Sequence, residues 1–277
     1  MDNKVSFFTI CYEGDWKSIL IEKRLNQLIR SCNFSFDFRG LIINNVSNRA
    51  LVESYAQKAV DENIIDGYFF AEDTVNEIFE EFNLTRKSFK LDGYDGYWYS
   101  LGPLTAIFQC KTQFLLYFTG DCLMEQNTDP IWISEAKTKL KEGQILVANP
   151  LWNYNNGEVK QESIAEDEDW FYGYGFTDQC FLVESSRFKA DIYNHYHVSS
   201  EAYPIYGGNL FERRVNSFMR KSKLQRITHK QAVFIHEKLL DEGYVPVQGQ
   251  QKSKVFVQLM GLKKRLRKKI NTILNNV

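Results

Sequence analysis

The chain has 277 residues, of which 44% are hydrophobic and 15% aromatic, and its formal net charge is −1. This composition provides for a large buried core and excludes a disordered chain. The longest apolar runs, such as FLLYF, are far shorter than the stretch of about 20 residues that crosses a bilayer. The start, MDNKVSFFTI, has no basic region followed by a long apolar stretch, so we expect no secretory signal.

Five cysteines are scattered along the chain, and none belongs to a CxxC pair. An odd and dispersed set is not typical of a disulfide framework or a zinc site. We therefore expect a reduced, cytoplasmic protein.

The near-neutral net charge hides an uneven distribution. Residues 252–277 contain eight Lys and Arg and no acid, so the preceding 251 residues carry a net charge of −9. Proteins that bind nucleic acid present basic surface across the fold itself, so we expect no nucleic-acid partner. We predict instead one main domain, 1–251, and a separate basic segment, 252–277.

The first half of the chain alternates β-rich runs with helical patterns. KVSFFTICY (4–12) is typical of a strand, and KSILIEKRLNQLIRSC (17–32) has apolar residues at helical spacing. Such alternation favours a mainly parallel sheet flanked by helices. We further predict strands over 36–44, 65–71 and 113–119, helices over 49–63, 74–83 and 102–111 (with Pro103 in a first-turn position), and a loop over 91–100.

The second half of the chain is less regular. We predict a helix over 130–142, a strand over 144–149 and another strand over 179–185. The polar, acidic segment 153–170 is typical of an exposed loop. The helix predicted over 207–222 opens with two glycines.

Polar residues follow several of the predicted strands, where ligands bind in α/β sheets. Asp121 stands out, because in QFLLYFTGDCLM it emerges directly after a buried strand and a glycine. A carboxylate there can bind a divalent cation that in turn holds a diphosphate. The alternative is a turn aspartate that bonds to its own backbone. The same rule selects Tyr12 to Asp15, Asn44, Asn45, Glu72, Asp73 and Gly120.

A second candidate is Glu212 in YPIYGGNLFERRV (203–215), just inside a predicted helix. A carboxylate beside two glycines could deprotonate an acceptor hydroxyl. Arg213 and Arg214 could offset the charge of a leaving diphosphate. The alternative is an ordinary solvated Glu–Arg helix face.

The four histidines form no consistent zinc ligand set, which would need three or four ligands. His236, which follows a strand-like run, is retained as a candidate metal or phosphate contact. The chain contains no GxSxG, Walker or GxGxxG motif. Their absence argues against a serine hydrolase, a P-loop kinase and a nicotinamide-dependent dehydrogenase.

The basic segment 252–277 has apolar residues in steps of four and three from Val255 to Val277, interrupted by KKRLRKK. This pattern is typical of an amphipathic helix that binds an anionic membrane surface. The alternative is a terminal helix packed on the body of the protein or on another subunit.

Taken together, the segments over about residues 4–240 resemble a family-2-type glycosyltransferase with a GT-A fold. VSFFTICYEGDWKSILIEKRLNQLIRSC resembles the opening strand and helix of that family, and GLIINNVSN resembles its second strand. YSLGPLTAIFQCKTQFLLYFTGD resembles the helix and strand that lead to its DxD motif. GYGFTDQCFLVESSRF resembles the strand beside its acceptor site, and GGNLFERRVNSFMR lies where an ED pair supplies its catalytic base.

The resemblance implies an inverting transfer from a nucleotide sugar to a glycan or lipid-linked acceptor, with Glu212 as base and Asp178 as fallback. It also implies a Mn or Mg ion on Asp121 and His236; the alternative is a diphosphate held without metal, by Arg or Lys and helix dipoles. The basic segment 252–277 motivates a location at the inner face of the plasma membrane. Tyr97, Trp98 and Trp152 would stack on sugar faces. The implied nucleotide contacts are Thr9, Cys11, Glu13, Asn44, Asn45 and Asp121.

Two residues depart from the family pattern. Thr119 stands where the first aspartate of DxD would be, and Glu212 alone stands for the ED pair. The first departure favours an alternative function, a non-catalytic GT-A-like protein that binds a nucleotide or glycan for assembly. A nucleotidyltransferase is a third alternative, but CYEGDWKS lacks the Gly-rich basic loop that such enzymes carry after the first strand.

Overall fold

The computed structural model describes residues 3–89, 96–126, 128–202 and 210–236. The basic segment 252–277 and the glycines Gly207 and Gly208 lie outside these residues. The boundary between the main domain and the basic segment therefore stays a prediction.

The described strands alternate with helices over most of the chain. The strands are β1 (Val5–Tyr12), β2 (Phe38–Asn44), β3 (Gly67–Phe70), β4 (Phe114–Phe118), β5 (Cys122–Met124), β6 (Ile145–Trp152), β7 (Ser163–Glu166), β8 (Trp170–Gly173), β9 (Cys180–Glu184) and β10 (Gln225–His236). The helices are α1 (Trp16–Leu20), α2 (Arg24–Ser31), α3 (Arg49–Asp61), α4 (Val75–Glu81), α5 (Gly96–Gln109), α6 (Ile131–Leu140), α7 (Asn156–Glu162), α8 (Ser185–Phe188) and α9 (Phe211–Ser222), with short 3-10 turns at Ala71–Thr74, Arg86–Phe89 and Val198–Ala202.

All ten described strands belong to one mixed sheet, in the order β3-β2-β1-β4-β9-β6-β10-β8-β7, and β5 pairs with β10. The first four of these strands are mutually parallel. β9 is antiparallel to β4 and β6, while β10 is parallel to β6. The ends of β1, β2, β4, β6 and β10 and the beginning of β9 therefore lie along one edge, which we call the carboxyl edge.

The central strands of the sheet are buried on both faces, as their continuous apolar sequences predict. Phe7 and Cys11 of β1 belong to a core layer formed with α1, α2, α3 and α6. Phe8 faces the other way, into a layer formed with α4, α5, α8 and α9. No helix among the described residues combines the length and apolar character needed to cross a membrane. All five cysteines are buried and free.

Two predicted helices differ from those observed. The helix predicted over 17–32 is divided into α1 and α2, because Lys23 adopts a left-handed conformation with φ of 62°. The helix predicted from residue 102 begins at Gly96, which places Pro103 in its interior. α5 is buried around most of its circumference, and this tertiary packing outweighs the helix-breaking tendency of proline.

The loop predicted over 153–170 is also wrong, because this segment contains α7, β7 and the beginning of β8. β8 pairs with β10, and β7 extends the sheet beyond it. Trp170, at the beginning of β8, is almost fully buried. This pairing joins distant parts of the chain, so the local acidic composition gives no sign of it.

Candidate active site at the carboxyl edge

Asp121 is held at the end of β4 by a constrained turn. The Cys122 N–H donates to the Thr119 carbonyl at 3.2 Å. A Cβ at Gly120 would lie 2.6 Å from the Ile10 carbonyl oxygen, so only glycine fits there without displacement. The Arg24 Nε donates to the Gly120 carbonyl at 2.8 Å and ties the turn to α2. The Asp121 side chain is 25% exposed, so its carboxylate is accessible to a ligand.

His236 reaches Asp121 through strand pairing. β5 is antiparallel to β10 and pairs Cys122 with His236. As a result, His236 Nε2 lies 3.3 Å from Asp121 Oδ2. The His236 main-chain N–H donates to Asn153 Oδ1, and the Asn153 N–H donates to the Phe234 carbonyl, both at 2.9 Å. Asn153 therefore fixes the end of β10 against the end of β6.

Asp178 lies at the same edge because it is two residues before the antiparallel strand β9. Its neighbour Gln179 accepts a hydrogen bond through its carbonyl from the Thr119 N–H at 2.8 Å. Burial raises the pKa of Asp178 to about 6; the charge of Asp121 also raises this pKa, while that of His236 lowers it. Asp178 is thus an electrostatic neighbour of both residues, and its pKa is close to the range suited to proton transfer.

Three side chains offer candidate metal ligands within 4.8 Å of one another, namely Asp121, Cys122 and His236. Cys122 is fully buried, and burial raises its thiol pKa well above the ordinary value, so it stays protonated and is a poor ligand. A carboxylate oxygen and an imidazole nitrogen 3.3 Å apart can both reach one cation at about 2.0–2.2 Å. Asp121 and His236 therefore fit a divalent cation.

The ends of β1 and β2 carry further polar groups. Asn44 is 3% exposed, and its Nδ2 donates to the Trp98 carbonyl at 2.7 Å, while its Oδ1 is buried without a partner among the described residues. Glu13 and Asn45 are exposed, and Glu13 Oε2 accepts from the Ser47 N–H at 2.7 Å. A cavity of about 400 Å³ adjoins these ends and is lined by Glu13, Gly14, Trp16, Lys17, Asn48 and Leu51.

Thr9 and Cys11 do not line this cavity, contrary to expectation. Both side chains have no exposed surface. β1 lies between β2 and β4, and helices cover both faces of the sheet, so these two residues belong to the core. We exclude them from the candidate pocket.

Glu212 lies in the first turn of α9. The Phe211 N–H donates to Ser100 Oγ at 3.0 Å, and Ser100 is two residues after Trp98, whose carbonyl contacts Asn44. α9 therefore begins near the carboxyl edge, on the face that α5 covers.

Two other predicted contacts have mainly structural surroundings. The Arg214 guanidinium donates to the carbonyls of Tyr193 (at 2.6 Å) and Ser88, and burial lowers its pKa to about 10. Tyr97 is 7% exposed and stacks under the Arg86 guanidinium at 4.0 Å. Arg214 and Tyr97 are therefore unsuited to diphosphate and sugar, respectively. Trp98 and Trp152 are half-buried and keep some accessible surface.

Sequence reasoning missed Arg24 and Asn153. Arg24 lies within a predicted helix, and no motif relates it to Gly120. Asn153 falls in the segment predicted to be a loop, and its contact with His236 depends on the parallel pairing of β6 and β10. Neither residue carries a local signal of its role.

No family model and no curated protein matches the sequence. Among solved structures, GalNAc-T7, crystallised with UDP, GalNAc and Mn2+, matches 84% of the chain at 11% identity with a TM-score of 0.52. The chain has a GT-A fold. It spans 43% of the length of GalNAc-T7. At this identity the likeness establishes the GT-A fold alone.

Two further structures match with TM-scores below 0.5. The galactosyltransferase LgtC, solved with donor and acceptor sugar analogues, matches 80% of the chain at 12% identity with a TM-score of 0.42, and 72% of LgtC is covered. S. aureus TarS matches 84% of the chain at 10% identity with a TM-score of 0.43, and 60% of TarS is covered. Within the GT-A fold of this chain, Thr119 and Asp121 occupy the turn after β4.

Proposed function

We propose that this protein is a family-2-type glycosyltransferase that moves a sugar from a nucleotide-sugar donor to a saccharide or lipid-linked acceptor in surface-glycan synthesis. The proposal is carried by the grouping of Asp121, His236 and Asp178 at the carboxyl edge of a GT-A sheet. The GT-A protein GalNAc-T7 was solved with a nucleotide, a sugar and Mn2+, which supports this choice of substrates.

The donor would lie across the ends of β1, β2 and β4. Glu13, Asn44 and Asn45 would bind the nucleoside, and the Asn44 Oδ1 would accept a hydrogen bond from it. Asp121 and His236 would hold a Mn or Mg ion. Such an ion, when bound, neutralises charge on the diphosphate. Arg24 would keep the Gly120 carbonyl, and with it the Asp121 turn, in place.

Transfer would proceed with inversion. Glu212 would accept the proton of the acceptor hydroxyl, and the hydroxyl oxygen would form a bond to the anomeric carbon. The bond from that carbon to the diphosphate oxygen would break, and its electron pair would leave with the nucleoside diphosphate. Asp178 is the second candidate base, because its pKa of about 6 allows it to take a proton near neutral pH.

The proposed location is the cytoplasmic side of the plasma membrane. The eight basic residues in 252–277 motivate this choice, because anionic headgroups attract such segments. Lipid-linked acceptors would be presented at that surface.

The test is an assay of hydrolysis and transfer with a panel of nucleotide sugars. We expect Asp121→Ala to lose activity. Of the two candidate bases, Glu212 and Asp178, one is the true base, and its variant (Glu212→Gln or Asp178→Asn) should lose activity by about 10²–10⁴-fold. Glu80→Gln, a change at an exposed position on α4, is the matched control and should keep full activity. Full activity in all three site variants would reject the site assignment.

The second candidate function is non-catalytic binding of a nucleotide or glycan by a GT-A-like assembly protein. Thr119, in place of the first motif aspartate, favours it. Thermal unfolding with UDP and GDP, with and without Mn2+, separates the two functions. A nucleotide-dependent shift without hydrolysis or transfer of any donor would support the non-catalytic function.

A further inference from the structure

The turn after β6 has an unusual backbone. Its two central residues, Asn153 and Tyr154, have φ values of 43° and 58°. The Asn155 N–H donates to the Trp152 carbonyl at 2.8 Å and closes the turn. Positive φ at both central positions is the signature of a type I′ turn, in which Asn followed by Gly is favoured. Tyr154 thus stands where the backbone alone would select glycine.

Core packing does not explain why a tyrosine is retained at this position. The Tyr154 side chain is 43% exposed. Strained residues persist where the surrounding structure fixes them, and they cluster at binding sites. Asn153 provides that fixation, because it is fully buried and is bonded to both Phe234 and His236. The turn is therefore held rigidly with an aromatic ring facing solvent.

The position of Tyr154 after β6 indicates which substrate its ring would contact. In the strand order β2-β1-β4-β9-β6-β10, β6 lies on the side of β4 away from β1 and β2. The proposed nucleoside contacts are on β1 and β2, so the acceptor would approach from the β6 side. Burial raises the pKa of Tyr154, and the charge of Glu125, which follows β5, raises it further. A carboxylate in the electrostatic surroundings of an exposed ring suits a sugar, since it can accept hydrogen bonds from hydroxyl groups.

We propose that Tyr154 is a stacking platform for the apolar C–H face of an acceptor pyranose ring, and that the strained turn is maintained for this contact. An exposed, rigidly held aromatic ring offers a large flat apolar surface, which asparagine or glycine at the same position would lack. The identity of the sugar as an acceptor rests on the proposed function, whereas the binding of a sugar ring can be measured without turnover.

The test combines saturation-transfer NMR with thermal unfolding. The probes are methyl β-glucoside, methyl β-galactoside and methyl N-acetyl-β-glucosaminide at millimolar concentration. We expect saturation of ring C–H protons of at least one probe in the wild type, loss of that saturation in Tyr154→Gly and its retention in Tyr154→Phe. Because glycine relieves the positive φ, Tyr154→Gly should also raise the Tm by about 2–4 °C.

The matched control is Tyr196→Gly. Tyr196 is 64% exposed and its φ is not positive, so this change should keep the sugar saturation and should not raise the Tm. The proposal is overturned by a lower Tm in Tyr154→Gly, by sugar saturation that this variant leaves intact, or by a wild type that saturates none of the probes. Donor hydrolysis by the wild type, measured without acceptor, tests the transferase function separately. Hydrolysis without Tyr154-dependent saturation disproves the platform alone.

Discussion

His236 Nε2 lies 3.3 Å from Asp121 Oδ2, although 115 positions separate the two residues in the chain. The three-residue strand β5 creates this contact, because it begins directly after Asp121 and pairs with the end of β10, where His236 lies. A carboxylate and an imidazole are thus fixed at one point of the carboxyl edge by backbone pairing, and neither depends on a flexible loop for its position.

The first prediction concerns this pair as a cation site. Asp121→Asn and His236→Ala should each lower the affinity for Mn2+ by at least about 10-fold, because each removes one of two protein ligands. Isothermal titration with MnCl2 measures the affinity. His197→Ala, at a histidine that does not belong to the Asp121–Cys122–His236 group, should leave it unchanged. Equal affinity in the wild type and Asp121→Asn would show that the cation binds elsewhere.

The second prediction concerns the pH dependence of stability. The pKa of Asp178 is about 6 in the folded protein, above its ordinary 3.8. The folded state therefore binds this proton more tightly than the unfolded state, and the resulting stabilisation is complete below about pH 4 and is lost as the pH rises through 6. At pH 8, Asp178→Asn should be more stable than the wild type by about 1–3 kcal/mol.

Urea unfolding in EDTA at pH 4 and pH 8 measures this effect without bound cations. The two proteins should differ much less at pH 4, where the wild-type carboxyl is protonated in the folded state and partly protonated in the unfolded state. A variant that is less stable than the wild type at pH 8 would contradict the prediction, since it would mean that the charged carboxylate stabilises the fold.

The third prediction concerns the turn that carries Asp121. Gly120→Ala should destabilise the protein by about 1–3 kcal/mol, because the new methyl group would lie 2.6 Å from the Ile10 carbonyl oxygen. Gly157→Ala is the matched control. Gly157 lies in α7, and a Cβ added there would have no atom within 4 Å. It should be neutral or stabilising by up to about 1 kcal/mol. Equal free energies of unfolding for the two variants would refute the steric constraint.

The fourth prediction concerns the basic segment. Removal of 252–277 should abolish sedimentation with vesicles that contain phosphatidylserine, because each basic residue near such a surface contributes about 1 kcal/mol. Vesicles of phosphatidylcholine alone are the control and should not bind the full chain. If the shortened protein sediments with anionic vesicles as well as the full chain does, the segment has another role.

The sequence predicted the parallel half of the sheet because its strands β1, β2 and β4 are mostly buried and read as continuous apolar runs. The same burial explains the error at Thr9 and Cys11. A polar or small residue near the end of a strand looks like a pocket residue, but its exposure depends on which strands flank it, and β1 is central. Asp121 and Asn44 stay predictions as site residues, and they stand out in the sequence because each comes after the apolar residues of its strand.

The turn at Asn153 and Tyr154 could not be predicted from WNYNNG. Asparagine adopts positive φ more readily than other non-glycine residues, but tyrosine gives no such indication. The conformation follows from bonds to Phe234 and His236, residues about 80 positions away in the chain. Interactions at this separation leave no periodicity or motif in the local sequence.

The reversed direction of β9 has a consequence for how this protein could be re-engineered. Because β9 enters the sheet against its neighbours, the segment just before it, residues 174–179, opens onto the same edge as the tips of the forward strands. That stretch also contains the fully buried Phe176, the candidate base Asp178 and Gln179, whose carbonyl accepts from the Thr119 N–H. A change of length or sequence there would therefore alter the entrance and the Asp121 turn together, and the two cannot be redesigned independently.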